Sequence, residues 1–175
     1  MDRPRLLAIF AHPDDESFGP GGALACYAAQ GVEVHVCTVT DGAAGSHETN
    51  APSGPENPSL ATLRRSELAC ACQVLGVHLH TLDYRDSGMQ GAADNQHPHS
   101  LYQAALDGVA RELVHVMRQV RPHVVLTHDP SGGYFHPDHI KVSRAVSRAW
   151  ELAGSDGNAS WQPSRLFLPQ LWSER

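Results

Sequence analysis

The apolar run Leu6-Leu7-Ala8-Ile9-Phe10-Ala11 breaks directly into His12-Pro13-Asp14-Asp15-Glu16. Six apolar residues followed by a polar turn read as a strand buried on both faces, the pattern of a parallel sheet covered by helices. Open α/β sheets bind ligands outside the carboxyl ends of their strands, so this turn is the first candidate site. Three adjacent carboxylates repel one another unless they are solvated, paired with cations or bound to a metal.

The rest of the chain alternates in the same way. Gly19-Pro20-Gly21-Gly22 leads into an Ala-rich stretch, Ala23 to Gln30, closed by Gly31, which predicts a helix. Glu33 to Thr40, rich in β-branched residues, reads as the second strand. A Gly, Ser, Asn and Pro-rich loop then runs to about Pro58 and is taken as one wall of the site. Ser59 to Leu75 reads as a helix on its spacing of Leu60, Leu63, Leu68, Ala71 and Leu75, and Val77 to Leu82 as a third strand. Leu101 to Val120 reads as a long helix stopped before Pro122, and His123 to His128 as the fourth strand. Pro137 starts a helix to about Ala153, a polar loop covers Gly154 to Ser160, and Leu166-Phe167-Leu168 forms a last strand whose edge position Pro169 marks.

Such alternation predicts an α/β fold, a mainly parallel sheet with right-handed crossovers and helices on both faces. A strand order of 3-2-1-4-5 sets the first and fourth strands side by side. That order matters because a second turn of the same kind, His136-Pro137-Asp138-His139, follows the apolar run Val124-Val125-Leu126. Where the two turns meet, imidazole and carboxylate groups converge in the mixture that suits zinc.

At 175 residues the chain has the length of one domain, taken as 1–175. Its net charge of −6 and the lack of any dense basic run argue against a nucleic-acid partner. The leading apolar run is too short for a signal peptide, and no run is long enough to span a membrane, so a cytoplasmic protein is expected. Cys26, Cys37, Cys70 and Cys72 make no Cys-x-x-Cys pair and read as reduced, mostly buried thiols.

Three stretches together resemble the LmbE-like, or PIG-L, family of zinc-dependent deacetylases. They are Ala11-His12-Pro13-Asp14-Asp15-Glu16, Arg64-x-x-Glu67, and Gly132-Gly133-Tyr134-Phe135-His136-Pro137-Asp138-His139. Arg85-Asp86-Ser87-Gly88-Met89 is similar to the pocket loop of the mycothiol-pathway N-acetylglucosaminyl deacetylases in particular. The resemblance implies a Rossmann-like three-layer sandwich and a hydrolase that removes an N-acetyl group from a small GlcNAc-containing glycoside. Carried over by position, it implies His12, Asp15 and His139 as ligands of zinc, with ferrous iron as the alternative metal. It further implies Asp14 as general base, His136 as the group that steadies the charged intermediate or protonates the leaving amine, Tyr134 as an oxyanion contact and Asp138 as the residue orienting its neighbouring histidine. Arg64 and Asp86 match substrate-binding positions. Family members usually continue well beyond Leu166-Phe167-Leu168, which implies that part of the pocket or sheet edge is missing or comes from another subunit; a homo-oligomer is compatible with this.

Each residue also has a plainer role open to it. Asp14, Glu16 and Asp138 suit helix N-termini, Arg64 and Glu67 suit a helix salt bridge, Asp86 suits a turn cap, and Tyr134 suits packing in a Gly-rich turn. Gly42 and Gly45 read as turn-makers. His35, His47, His78, His80, His97, His99, His115 and His123 read as solvated, and His128 is left undecided. Two other functions compete: a zinc amidase acting on a larger conjugate, and a non-catalytic sugar- or nucleotide-binding domain. The second is disfavoured because acids, not Gly-x-Gly-x-x-Gly, follow the first strand and would repel a phosphate.

Overall fold

A computed structural model describes residues 3–45, 59–155 and 162–168. The predicted loop from 46 to 58, His47 within it, and most of the polar loop after Gly154 lie outside these residues, as does Pro169. Five parallel strands form one sheet: β1 (Arg5–Phe10), β2 (Glu33–Thr40), β3 (His78–Tyr84), β4 (Val124–Leu126) and β5 (Arg165–Phe167). Their order is β3-β2-β1-β4-β5, the expected one, in a parallel sheet as the alternation predicts, and β1 pairs with both β2 and β4.

Alternate residues of β1 face two cores. Leu7 and Ile9 join Cys37, Val39 and Val125 under α4 (Leu106–Val120) and α5 (Pro137–Ser155). Ala8 and Phe10 join Val34 and Val36 on the other face, under Leu24 of α2 (Gly21–Ala29) and Leu68 and Cys72 of α3 (Leu60–Leu75). The chain's apolar run is therefore divided between two layers of helix, which is why it shows no alternation of its own. α3 starts where Ser59 accepts a hydrogen bond from the Thr62 amide and ends at Gly76, whose φ of 71° closes the helix in the left-handed region.

Several expectations shift. The long helix begins at Leu106 instead of Leu101. Its expected first turn is drawn off by tertiary partners: the Tyr102 amide donates to Ser87 Oγ at 2.8 Å, and the Lys141 ammonium donates to the Tyr102 and Ala104 carbonyls. β4 keeps only Val124–Leu126, which leaves His128 beyond the strand end. Cys26 and Cys70 are exposed, against the expectation of mostly buried thiols, because they lie on the outer faces of α2 and α3. His35 is buried, not solvated: it sits between Glu33 and His80, with Nε2 3.1 Å from Glu33 Oε1 and Nδ1 3.0 Å from His80 Nε2. His123 Nδ1 accepts the Arg5 amide.

Because Ile9 is fully buried in the central strand, Ile9→Ala is expected to cost about 2–5 kcal/mol in urea denaturation, whereas Val74→Ala, on the exposed side of α3, should stay within about 0.5 kcal/mol.

Candidate active site

The adjacency of β1 and β4 brings the two acid and histidine turns together at the carboxyl edge of the sheet. The first turn is tightly held. Asp14 lies at φ 118°, a conformation that costs a non-glycine residue roughly 1–3 kcal/mol. Three contacts hold it there. Its amide donates to Glu16 Oε2 at 3.0 Å, its carbonyl accepts the Ser17 amide at 2.8 Å, and its carboxylate takes Arg64 Nη2 at 2.9 Å. Glu16 opens the short helix α1 (Asp15–Phe18), yet it is 1% exposed, so it works as a buried anchor of the turn and not as a solvated helix-start acid.

Arg64 reaches this turn from α3. It donates to the Gly42 carbonyl at 2.9 Å and also to the Pro13 carbonyl. A Cβ on Gly42 would lie 2.5 Å from Arg64 Nη1, and one on Gly45 2.9 Å. Both glycines therefore clear space for the guanidinium, a reason beyond turn-making.

His12, Asp15 and His139 come together. His12 Nδ1 is 3.1 Å from His139 Nε2, His139 Nε2 is 3.4 Å from Asp15 Oδ1, and His12 Nδ1 is 3.7 Å from Asp15 Oδ2. Ligands about 2.0–2.2 Å from a tetrahedral zinc stand roughly 3.3–3.6 Å apart, so separations of 3.1, 3.4 and 3.7 Å bring the three side chains near that spacing, with one or the other Asp15 oxygen facing each histidine. The other nitrogen of His12 faces carboxylates, Asp138 Oδ2 at 3.3 Å and Asp86 Oδ1 at 3.4 Å. This is the outer arrangement that fixes a ligating imidazole with its lone pair toward the metal. Asp138 is fully buried, and its Oδ1 is without a hydrogen-bond partner, which also fits a site built for added positive charge.

Electrostatics agree with that fit. Burial works against charge on His12, but Asp138, Asp86 and Asp15 outweigh it and raise its pKa to about 10. Burial lowers His139 to about 3, which keeps its imidazole neutral. Burial pushes Asp15 up, yet the surrounding histidines hold it well below the usual carboxylate range. Asp14 is raised, by burial and by Asp15, against the pull of Arg64.

The remaining candidates surround this centre. His136 Nδ1 accepts the Asp138 amide at 3.2 Å, which leaves Nε2 to carry the ring proton, and its ring stands edge-on to His12 at 4.5 Å. Tyr134 is 58% exposed at the rim, with its ring 5.1 Å from that of His139. Asp86 lies behind His12, 4% exposed, where it accepts the Gly88 and Ala44 amides. Two residues escaped the reading of the sequence, and His128, undecided there, finds its place beside them. Asp129 accepts the Ser131 and Gly133 amides and shapes the second turn; Ser87 donates its amide to Asp138; His128 touches Asp15 and His139. Asp129 followed by Ser and Gly was the available signal for the first. The other two depend on long-range contacts. A cavity of about 440 Å³ opens beside Asp15, His139 and Tyr134, with Phe10, Pro20 and Leu126 as apolar walls.

A parallel 3-2-1-4-5 sheet carrying a histidine and aspartate cluster where β1 and β4 part defines the LmbE-like class of α/β proteins. The chain belongs to the PIG-L family: the family model PIG-L: GlcNAc-PI de-N-acetylase matches residues 7–150. It is 43% identical over 176 residues to the 1D-myo-inositol 2-acetamido-2-deoxy-alpha-D-glucopyranoside deacetylase of Salinispora arenicola, an alignment that covers 95% of this chain and 56% of the relative. The chain spans about half the length of the curated relatives it matches. Among solved structures it is similar to the N,N'-diacetylchitobiose deacetylase of Pyrococcus horikoshii, with TM-score 0.68 and 27% identity over 93% of this chain and 57% of that one. It is also similar to GalB, the 4-carboxy-2-hydroxymuconate hydratase of Pseudomonas putida, with TM-score 0.69 and 26% identity over 91% of this chain and 61% of that one.

Two outcomes follow from the geometry. His12 titrates near 10 in the metal-free fold against 6.5 when unfolded, so its charge stabilises that fold below about pH 6.5, and the contribution fades as pH rises toward 10. The same proton must leave before Nδ1 can ligate. Apparent metal affinity is therefore expected to rise by up to about tenfold per pH unit between about pH 6 and 9, measured by chelator competition. Gly42→Ala, which crowds Arg64, is expected to lower turnover at least about tenfold while leaving that affinity within about twofold.

Proposed function

We propose that this chain carries the catalytic centre of a metal-dependent hydrolase that removes the N-acetyl group from a small GlcNAc-containing glycoside, releasing acetate and a free amine. The observation that carries this reading is the convergence of His12 Nδ1, Asp15 and His139 Nε2 within 3.1–3.7 Å of one another, beside Asp14. Those three residues would hold zinc, or ferrous iron in its place, and the bound ion supplies Lewis acidity toward a water and an amide carbonyl.

The chain's own groups supply the rest. Asp14, made more basic by burial and by Asp15 and fixed by Arg64, takes a proton from the attacking water. The proton that Asp14 takes from the water passes on to the departing nitrogen, while His136, its Nδ1 engaged by the Asp138 amide and its proton on Nε2, donates a hydrogen bond from Nε2 that steadies the charged intermediate. Tyr134, at the exposed rim, offers its hydroxyl to the oxygen on which negative charge develops. Asp86 acts here by holding His12 and the loop behind it, and Arg64 by holding Asp14. Both thereby shape the floor on which the sugar rests.

The natural substrate read from the relatives' names is 1D-myo-inositol 2-acetamido-2-deoxy-alpha-D-glucopyranoside. Four free thiols agree with a reducing, cytoplasmic setting, and among the described residues no helix is long and apolar enough to cross a membrane.

With that glycoside as substrate, Asp14→Ala is expected to keep its metal and lose roughly 10²- to 10⁴-fold in kcat/KM, whereas His139→Ala should lose the metal as well. Acetate release and metal content are the measurements. Near-normal turnover in Asp14→Ala would remove the base assignment. Hydration of 4-carboxy-2-hydroxymuconate without acetate release would favour the chemistry of the hydratase neighbour.

A further inference from the structure

His128 stands just past β4, and four contacts tie it to the centre. Its Nε2 accepts the Ala11 amide at 3.0 Å, at the point where β1 gives way to the first turn. The same nitrogen lies 3.4 Å from Asp15 Oδ2. Its ring stacks on that of His139, with centroids 3.9 Å apart and planes 15° from parallel, and meets Phe10 edge-on at 5.3 Å. One side chain thus touches the end of β1, the carboxylate ligand and the imidazole ligand from α5.

We propose that His128 is a positioning residue that holds Asp15 and His139 in the geometry that receives the metal, without being a ligand itself. The proposal rests on the metal reading above. Asp15, His128 and His139 lie close enough to share an ion, but the His128 Nε2 lone pair accepts the Ala11 amide, which leaves that nitrogen none for an ion and puts the ring proton on Nδ1. The next amide, that of His12, donates to Asp15 Oδ2 at 2.8 Å. Two successive backbone N–H groups therefore go to His128 and to Asp15, which locks the spacing between the two side chains to the backbone of the turn. On its other side the stacked ring leaves the His139 imidazole no freedom to rotate out of the plane that aims Nε2 at His12 Nδ1. Partners of this kind typically affect metal affinity roughly 10- to 100-fold.

Two variants separate the contacts. His128→Phe keeps a flat ring over His139 and removes the acceptor for Ala11; His128→Gln keeps an acceptor and removes the stack. With the full chain and zinc or cobalt alone as probe, each is expected to weaken metal affinity roughly 10- to 100-fold in chelator competition. The visible spectrum of the cobalt-loaded protein should stay that of the wild type, and saturating metal should restore kcat to within about threefold. Circular dichroism shows which variants are folded, and either folded variant decides the matter. Affinity within twofold of wild type in a folded variant would overturn the proposal, and a changed cobalt spectrum would overturn it by making His128 a ligand. If the wild type itself binds no divalent ion, the metal reading falls and this role falls with it; wild-type binding without any acetate release would instead remove only the deacetylase reading.

Discussion

The site depends on one buried imidazole held between carboxylates. His12 turns Nε2 toward Asp138 and Asp86 and Nδ1 toward His139 and Asp15. In this one group the end of β1, the loop after β3 and the start of α5 meet. A carboxylate pair behind an imidazole does two things at once: it fixes which nitrogen carries the proton, and it makes the opposite lone pair a better donor. The negative charge that does this is costly to bury without a partner. Asp15, Asp86 and Asp138 find their ion partner here in His12, while the nearby arginine, Arg64, pairs with Asp14. A buried cluster so rich in acid and imidazole is most comfortable with a cation at its middle.

Around this centre the backbone is placed by side chains. Glu16 and Asp129 satisfy amides of the turns that carry the reactive groups, and Ser87 donates its own amide to Asp138. Asp14 pays for its unusual backbone angle with an amide bond to Glu16 and an ion pair to Arg64. Such strain persists only where neighbouring contacts overdetermine it. Here the Asp14 carboxylate stays about half exposed and paired with Arg64, while that of Asp15 is buried beside His12, His128 and His139, so that two adjacent acids have different surroundings. The sheet makes this arrangement rigid, because β1 is hydrogen-bonded on both sides and packed on both faces.

The same fold supports different reactions, as the likeness to both a deacetylase and a hydratase shows. The carboxyl edge of this chain offers the Asp14 carboxylate paired with Arg64, an imidazole whose Nδ1 is already engaged, and a phenol at the rim, the groups on which the proposed amide hydrolysis draws. The apolar walls offered by Phe10, Pro20 and Leu126 border the same opening and keep bulk water from competing along that side.

Much of this was legible in the chain alone, because the relevant signals are local. Six apolar residues running into three acids declare a buried strand with a polar turn at its end, and His136-Pro137-Asp138-His139 marks a second such turn, whatever else the molecule does. Alternation of strand and helix, with the right-handed crossover rule, was enough to make the sheet parallel, and the mononucleotide-type arrangement supplied its order. What only the tertiary structure decided are the partners that lie far apart in sequence. Leu101 to Ala104 leave the helical path because Ser87 and Lys141 take their backbone groups. Gly42 and Gly45 matter because Arg64, from another element, needs their missing side chains. Asp86 and Asp138 become one device only when the loop after β3 folds over α5, and His128, one histidine among twelve, acquires meaning from a ring stacked on it and an amide 117 residues away. Local periodicity records which face of an element is buried, but not which group it will meet there.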